Sequence, residues 1–116
     1  MGRKYVKVEV SAAGRHLAGL IGLIDTGSDL TVIGSNVAKK LKLRPTLVEM
    51  EWSASDGDKR YSPIVELQVK AQDDKAAVQL DIVLVDDAPL DNESGEEVIL
   101  GLDYLQRTKK ILSFDD

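Results

Sequence analysis

Residues 5–10 (Tyr-Val-Lys-Val-Glu-Val) alternate apolar and polar positions, the period of a half-buried strand. Ala13-Gly14-Arg15 interrupts the pattern as a turn. Residues 17–24 then predict a second strand, which becomes apolar on both faces toward its end. Asp25-Thr26-Gly27-Ser28 breaks the run with turn residues, and residues 30–33 (Leu-Thr-Val-Ile) predict a short third strand. Ser35 is placed to cap a short helix over 36–41, where Val37 and Leu41 share a face; Pro45 closes the segment. Residues 47–52 and 61–69 predict two strands around the polar stretch 53–60, and Asp56-Gly57 within it is a hairpin-turn signal. Further along, 76–85 predicts a strand and the acid-rich 86–97, with Pro89 and Gly95, a solvated loop. A short buried strand follows over 98–101, a short helix over 103–108 and a last strand over 110–114. The pattern describes a single domain over residues 1–116, all-β in class: mostly β with two short helices.

Composition narrows what such a domain does. Hydrophobic residues at 43% and charged residues at 30% suit a folded chain. Fifteen Lys and Arg against 20 Asp and Glu give a net charge of −5, which argues against nucleic acid or an anionic membrane surface as partner. With no Cys, disulfides, thiolate metal sites and a Cys nucleophile are excluded. A single His rules out a multi-His metal site, and His16 itself falls in a predicted hairpin as a solvated residue. The acidic stretch 86–97 lacks the ligand order of a calcium loop. Neither metal nor cofactor is expected. No run approaches about 18 consecutive apolar residues, so no membrane helix is expected either. The opening Met-Gly-Arg-Lys-Tyr-Val has no apolar signal core, and a cytoplasmic location is the expectation. Few aromatics (Trp52, Phe114, Tyr5, Tyr61, Tyr104) mean that the core must be aliphatic.

The candidate chemistry lies at residues 23–28, Leu-Ile-Asp-Thr-Gly-Ser. An apolar strand ends at a carboxylate, followed by a hydroxyl, a glycine and a second hydroxyl. Backbone amides of a tight turn after Asp25 can hold one of its oxygens and favour the ionised form. Gly27 lets the turn close and lets a substrate backbone approach. On spacing alone, an Asx-type turn joining two strands accounts for the segment equally well. A second segment, Ile99-Leu100-Gly101, repeats an apolar pair followed by glycine.

Taken in order, apolar-apolar-Asp-Thr-Gly-Ser, a hairpin turning at Gly57 and apolar-apolar-Gly resemble the aspartic proteases of the retropepsin type. The resemblance implies an acid-protease barrel with one lobe per chain. Asp25 would be the catalytic aspartate, Thr26 would bond across a dimer axis to its twin, and Gly27 would accept the substrate backbone. Ser28 falls beside the carboxyl and Asp29 near the peptide main chain. Leu23, Val32 and Ile33 fall on apolar side-chain pockets, and a flap over about residues 52–61 would carry Gly57 at its tip. Three positions depart from the retroviral pattern. Leu102 stands where an Arg ties the dimer to the Asp29 position, so either Arg107 takes that role or nothing does. Leu30 replaces a second acid, and the flap tip is acidic and polar rather than glycine-rich.

Aspartic proteolysis needs two carboxylates sharing one proton. This chain holds no second Asp-Thr-Gly or Asp-Ser-Gly, so it supplies half a site and a two-fold homodimer would supply the whole. The expected function is a homodimeric aspartic endopeptidase that hydrolyses peptide bonds through an Asp25–Asp25 dyad, with an extended peptide or protein as substrate. The alternative is a catalytically weak or inactive dimeric domain of the same fold, binding peptides or serving as a scaffold. The resemblance also implies that the chain ends, residues 3–10 and 109–116, supply the dimer strands.

Overall fold

A computed structural model describes residues 3–54 and 57–108. Its elements run β1 (Lys4–Ala12), β2 (Arg15–Ile24), β3 (Val32–Ile33), α1 (Ser35–Lys40), β4 (Met50–Ser53), β5 (Lys59–Ser62), β6 (Ile64–Ala71), β7 (Val78–Val85), β8 (Val98–Leu100) and α2 (Leu102–Arg107). Six strands close a barrel in the order β1-β2-β8-β3-β7-β6, with β6 pairing back onto β1. β4 and β5 form a separate two-stranded hairpin. The fold is thus mostly β with two short helices, as the alternation pattern predicts.

The first hairpin shows how sequence sets register. Ala12 pairs with Arg15, leaving Ala13 and Gly14 as a two-residue turn with φ of 53° and 79°. Two successive positive φ values match the right-handed twist of the flanking strands. Val8 and Val10 point inward and are buried, as their alternation with Lys7 and Glu9 requires. A bulge between Val8 and Val10 shifts the register by one residue and bends β1, whose other edge pairs with β6 over Val8 to Ser11.

The same alternation divides the interior into two apolar clusters. The main core includes Val8, Val10, Ile33, Leu67, Val69, Val83, Val98, Leu100 and Tyr104. The second gathers Val32, Trp52, Ala54, Leu84 and Ile99 at one end of the molecule. Neighbours on one strand face opposite ways. Val32 joins the second cluster and Ile33 the first; Ile99 joins the second while Val98 and Leu100 join the first.

Several elements differ from the sequence expectation. Gly34, not Ser35, is the N-cap of α1, and Ser35 is its first helical residue. Its hydroxyl and N–H instead donate to the carboxylate of Asp87, at 2.6 and 2.8 Å. Those two bonds, the hydroxyl's first, hold the Asp87 carboxyl below its usual range. Leu47 and Val48 are exposed bends, and the strand begins only at Met50. The expected strand 61–69 is two strands, because Pro63 has no N–H for a ladder and separates β5 from β6. The acidic segment 86–97 is tied down rather than solvated throughout. The buried Glu96 carboxylate accepts bonds from the Tyr5 hydroxyl, Arg3 and the Asp91 N–H, at 3.2 to 3.3 Å. Glu97, just before β8, is bonded to the interior of β2, accepting the Ile21 N–H on its side chain and donating its own N–H to Ile21 O. His16 is exposed and bonds the Glu9 carboxylate at 3.0 Å. The expected last strand, 110–114, lies outside the described residues. Among those described, no helix is long and apolar enough to cross a membrane.

α2 is fixed to the barrel through Tyr104, the one aromatic among the described residues of the main core. Its hydroxyl accepts the Ala71 N–H at 2.7 Å and donates to Asp74. Burial first, and the bond to Asp74 second, push the phenol above its ordinary value of 10.0. A phenol raised in the folded state contributes its full stabilisation below about pH 10, and that contribution falls once the unfolded chain ionises above it. Denaturant titrations from about pH 8 to 11 should show stability falling above about pH 10. Tyr104→Phe should be destabilised by about 1–3 kcal/mol at neutral pH, because the buried Ala71 N–H loses its acceptor, and it should lose part of the alkaline slope.

Candidate active site

The candidate site is a loop held between two strands by a third. β2 runs parallel to β8, pairing Leu23 with Ile99 and Ile24 with Leu100. β3 runs antiparallel to the other edge of β8, pairing Val32 with Ile99. The chain leaves β2, makes the loop 25–31, and returns on β3 with β8 lying between the two. Asp25 continues the ladder by one bond, donating its N–H to Leu100 O at 3.0 Å. The carboxylate of Asp25 therefore starts from a fixed backbone position at the barrel end.

Inside the loop, the Ser28 N–H donates to Asp25 O at 3.2 Å and closes a turn. The Gly27 N–H donates to Asp25 Oδ1 at 2.9 Å and orients the carboxylate. The Ser28 hydroxyl turns away from it and donates to Leu30 O at 2.7 Å. The first N–H groups of α2 hold the outer half of the loop. Leu102 N–H donates to Ser28 O at 2.8 Å, and Asp103 N–H to Asp29 O at 3.2 Å.

A side-chain clasp completes the lock. Asp103 accepts the Thr31 hydroxyl at 2.8 Å on one oxygen and the Thr31 N–H at 3.1 Å on the other. The Thr31 oxygen accepts the Gly101 N–H at 3.2 Å. Gly101 has an ordinary φ of −90°, so conformational freedom is not its purpose. A Cβ there would stand 2.5 Å from the Leu30 carbonyl and 2.8 Å from Ser28 O, so only glycine lets the two backbones meet.

Asp25 opens onto a cavity of about 60 Å³ lined also by Arg3, Leu23, Ser28, Val32, Trp52, Ala54, Pro89 and Ile99. Among the described residues, Asp25 is the only acid on that lining. The β4–β5 hairpin reaches it through Trp52 and Ala54, both buried. Of the residues singled out in the sequence, Leu23, Asp25, Ser28 and Val32 thus meet at one cavity. Thr26, Gly27 and Asp29 are exposed along the loop, outside that lining. Gly57, with φ of 89°, sits in the turn at the hairpin tip and does not line the cavity. Ile33 is placed differently from expectation. It is fully buried in the main core, since its neighbour Val32 already takes the direction facing the cavity. Arg107 does not stand beside Asp29 in place of the missing Arg; its guanidinium donates to Gln79 O at 2.5 Å.

Several site residues escaped sequence reasoning. Arg3 is one: pairing from the Ala13-Gly14 turn places it opposite Asp25 only after the Val8/Val10 bulge, which nothing in the sequence marks. Asp103 had a weak signal, an acid in the first turn of a helix straight after Gly101. A larger concavity, about 690 Å³, lies at the β1–β2 turn against Arg44 and β6 and shares no lining residue with the Asp25 cavity. Among the described residues, no group of His, Cys, Asp and Glu is arranged to hold a metal ion. No protein-family model matches the chain, and no curated protein matches it.

The clasp and the backbone contact are separable by mutation. Asp103→Ala leaves the Thr31 N–H and hydroxyl without their acceptor and should cost about 1–3 kcal/mol in urea unfolding. Gly101→Ala should cost about as much or more, because its methyl meets backbone that cannot step aside.

Proposed function

We propose that this chain is one half of a retropepsin-like aspartic endopeptidase, completed by a second copy of itself. The carrying observation is the single Asp25 carboxylate, held by the Gly27 N–H in a loop pinned on both sides by β8, at the edge of a small cavity. One carboxylate has no means to act as base and acid at once in water-mediated amide hydrolysis. Two, brought together on a two-fold axis, share one proton because like charges about 3 Å apart cannot both ionise. The exposed Thr26 and Gly27 stand on the outer side of the loop, where the twin loop and a substrate backbone would approach.

In the assembled dimer, Asp25 and the partner subunit's Asp25 flank one water. The ionised carboxylate takes a proton from it as its oxygen attacks the scissile carbonyl carbon, and the protonated partner donates to the carbonyl oxygen. Collapse of the resulting gem-diol breaks the C–N bond, with a proton passing to the leaving nitrogen. No covalent intermediate with the protein forms. An extended peptide would lie beneath the β4–β5 hairpin, hydrogen-bonded by its main chain and placing alternate side chains in apolar pockets.

One observation favours the second reading, a peptide-binding domain with little turnover. The hairpin is closely packed, with Trp52 and Ala54 both buried, which leaves limited room to open. Incubation with unstructured peptides across about pH 3 to 7, followed by mass spectrometry, separates the two. Cleavage with a bell-shaped pH profile, lowered at least about 10³-fold by Asp25→Asn, is expected. Equal cleavage by the Asn variant contradicts the dyad, and binding without any cleavage selects the second reading.

A further inference from the structure

Trp52 is the bulkiest side chain on the Asp25 cavity, and its indole is tethered. The Trp52 N–H donates to the Ser62 hydroxyl at 2.8 Å, and that hydroxyl donates to Asp86 Oδ2 at 2.8 Å. Asp86 is fixed in turn by accepting the Ala88 N–H at 2.9 Å. Ser62 is 1% exposed and Trp52 8%. The relay therefore joins both strands of the hairpin to the segment that follows β7, which belongs to the barrel. On its apolar side the ring packs in one cluster with Val32, Ala54, Leu84 and Ile99. Held at its polar edge and packed on its faces, the indole has no low-cost route out of the cavity.

The space left beside it is about 60 Å³. Pockets for drug-sized ligands span about 300–1,000 Å³, so this one takes a few heavy atoms and not a ring. Arg3, Asp25 and Ser28 give it a polar side, and its other walls, Leu23, Val32, Ala54, Pro89 and Ile99, are apolar. We propose that Trp52 restricts the side-chain pocket beside Asp25 to a small aliphatic group of an extended peptide, such as the side chain of Ala or Val. Ser62 and Asp86 are the positioning residues that hold the indole there. This rests on the peptide-substrate function proposed above and names its substrate class.

The test compares otherwise identical peptides carrying Val or Phe at each position around the cleavage point. Two readouts are used: kcat/KM for cleavage, and fluorescence-anisotropy binding on the Asp25→Asn background. The ratio between two peptides on one enzyme does not depend on the fraction folded, so a merely structural role leaves it unmoved. Wild type should prefer Val to Phe by at least about tenfold at one position, the discrimination a tight apolar pocket gives. Trp52→Val should move that ratio at least about tenfold toward Phe, and Ser62→Ala should move it in the same direction by less. Wild type that takes Phe as readily as Val at every position overturns the proposal without need of any variant. So does an unchanged ratio in a Trp52→Val protein with a cooperative melt. Cleavage without size preference sinks the Trp52 assignment alone. A binding preference without cleavage sinks the peptidase function and upholds the pocket.

Discussion

The close approach of backbone to backbone at Gly101 is the contact on which the candidate site depends. β8 is three residues long, yet it is hydrogen-bonded along both edges, to β2 in parallel and to β3 in antiparallel fashion. Where β8 ends, Gly101 lies within van der Waals reach of the Leu30 and Ser28 backbone, and its N–H meets the Thr31 hydroxyl. α2 starts at the next residue, and its first amides take the Ser28 and Asp29 carbonyls. A side chain at position 101 would separate the loop from β8 and from α2 together. The loop that carries Asp25 is thus an irregular segment with little freedom, since its backbone groups are bonded to regular structure on either side.

From that anchor, strand alternation distributes the rest. Each of β3, β7 and β8 sends side chains alternately to the barrel core and to the smaller cluster at the site. The site is therefore built on the far faces of the strands that make the core. Polar tethers supply what apolar packing does not: Asp103 on Thr31, Asp87 on Ser35, and Glu96 on Tyr5 and Arg3. Much of the acid excess has this structural use. Carboxylates accept backbone N–H groups at loop turns and at the start of α1, where uncharged side chains would bond less strongly.

The regular parts of this molecule were legible in the sequence. Alternation in 5–10 and the turn at Ala13-Gly14 predict the first hairpin, and the apolar pairs at 23–24 and 99–100 predict strands that meet side by side in the barrel. Reading failed where geometry depends on a partner distant in the chain. Ile33 and Val32 are equally apolar, and only the pairing of β3 with β8 and β7 decides which of them faces the cavity. Glu96 reads as one acid among many until Tyr5 and Arg3 come to it from the far end of β1. Leu47 and Val48 look like strand residues by composition, yet they are exposed and the strand begins beyond them. The Asp-Thr-Gly-Ser segment announced a turn with a carboxylate. Its tightness comes from Thr31, Gly101 and Asp103, of which only Asp103, an acid in the first turn of a helix, carries even a weak local signal.

The central claim is that Asp25 is half of a catalytic pair, so that a ligand demanding two apposed carboxylates should need two chains. Calorimetric titration with a statine-type transition-state mimic measures this directly, since its central hydroxyl binds tightly only where a dyad is assembled. Saturation at one ligand per two chains, lost in Asp25→Asn, is the expected result. Saturation at one ligand per chain, or undiminished binding by Asp25→Asn, contradicts it.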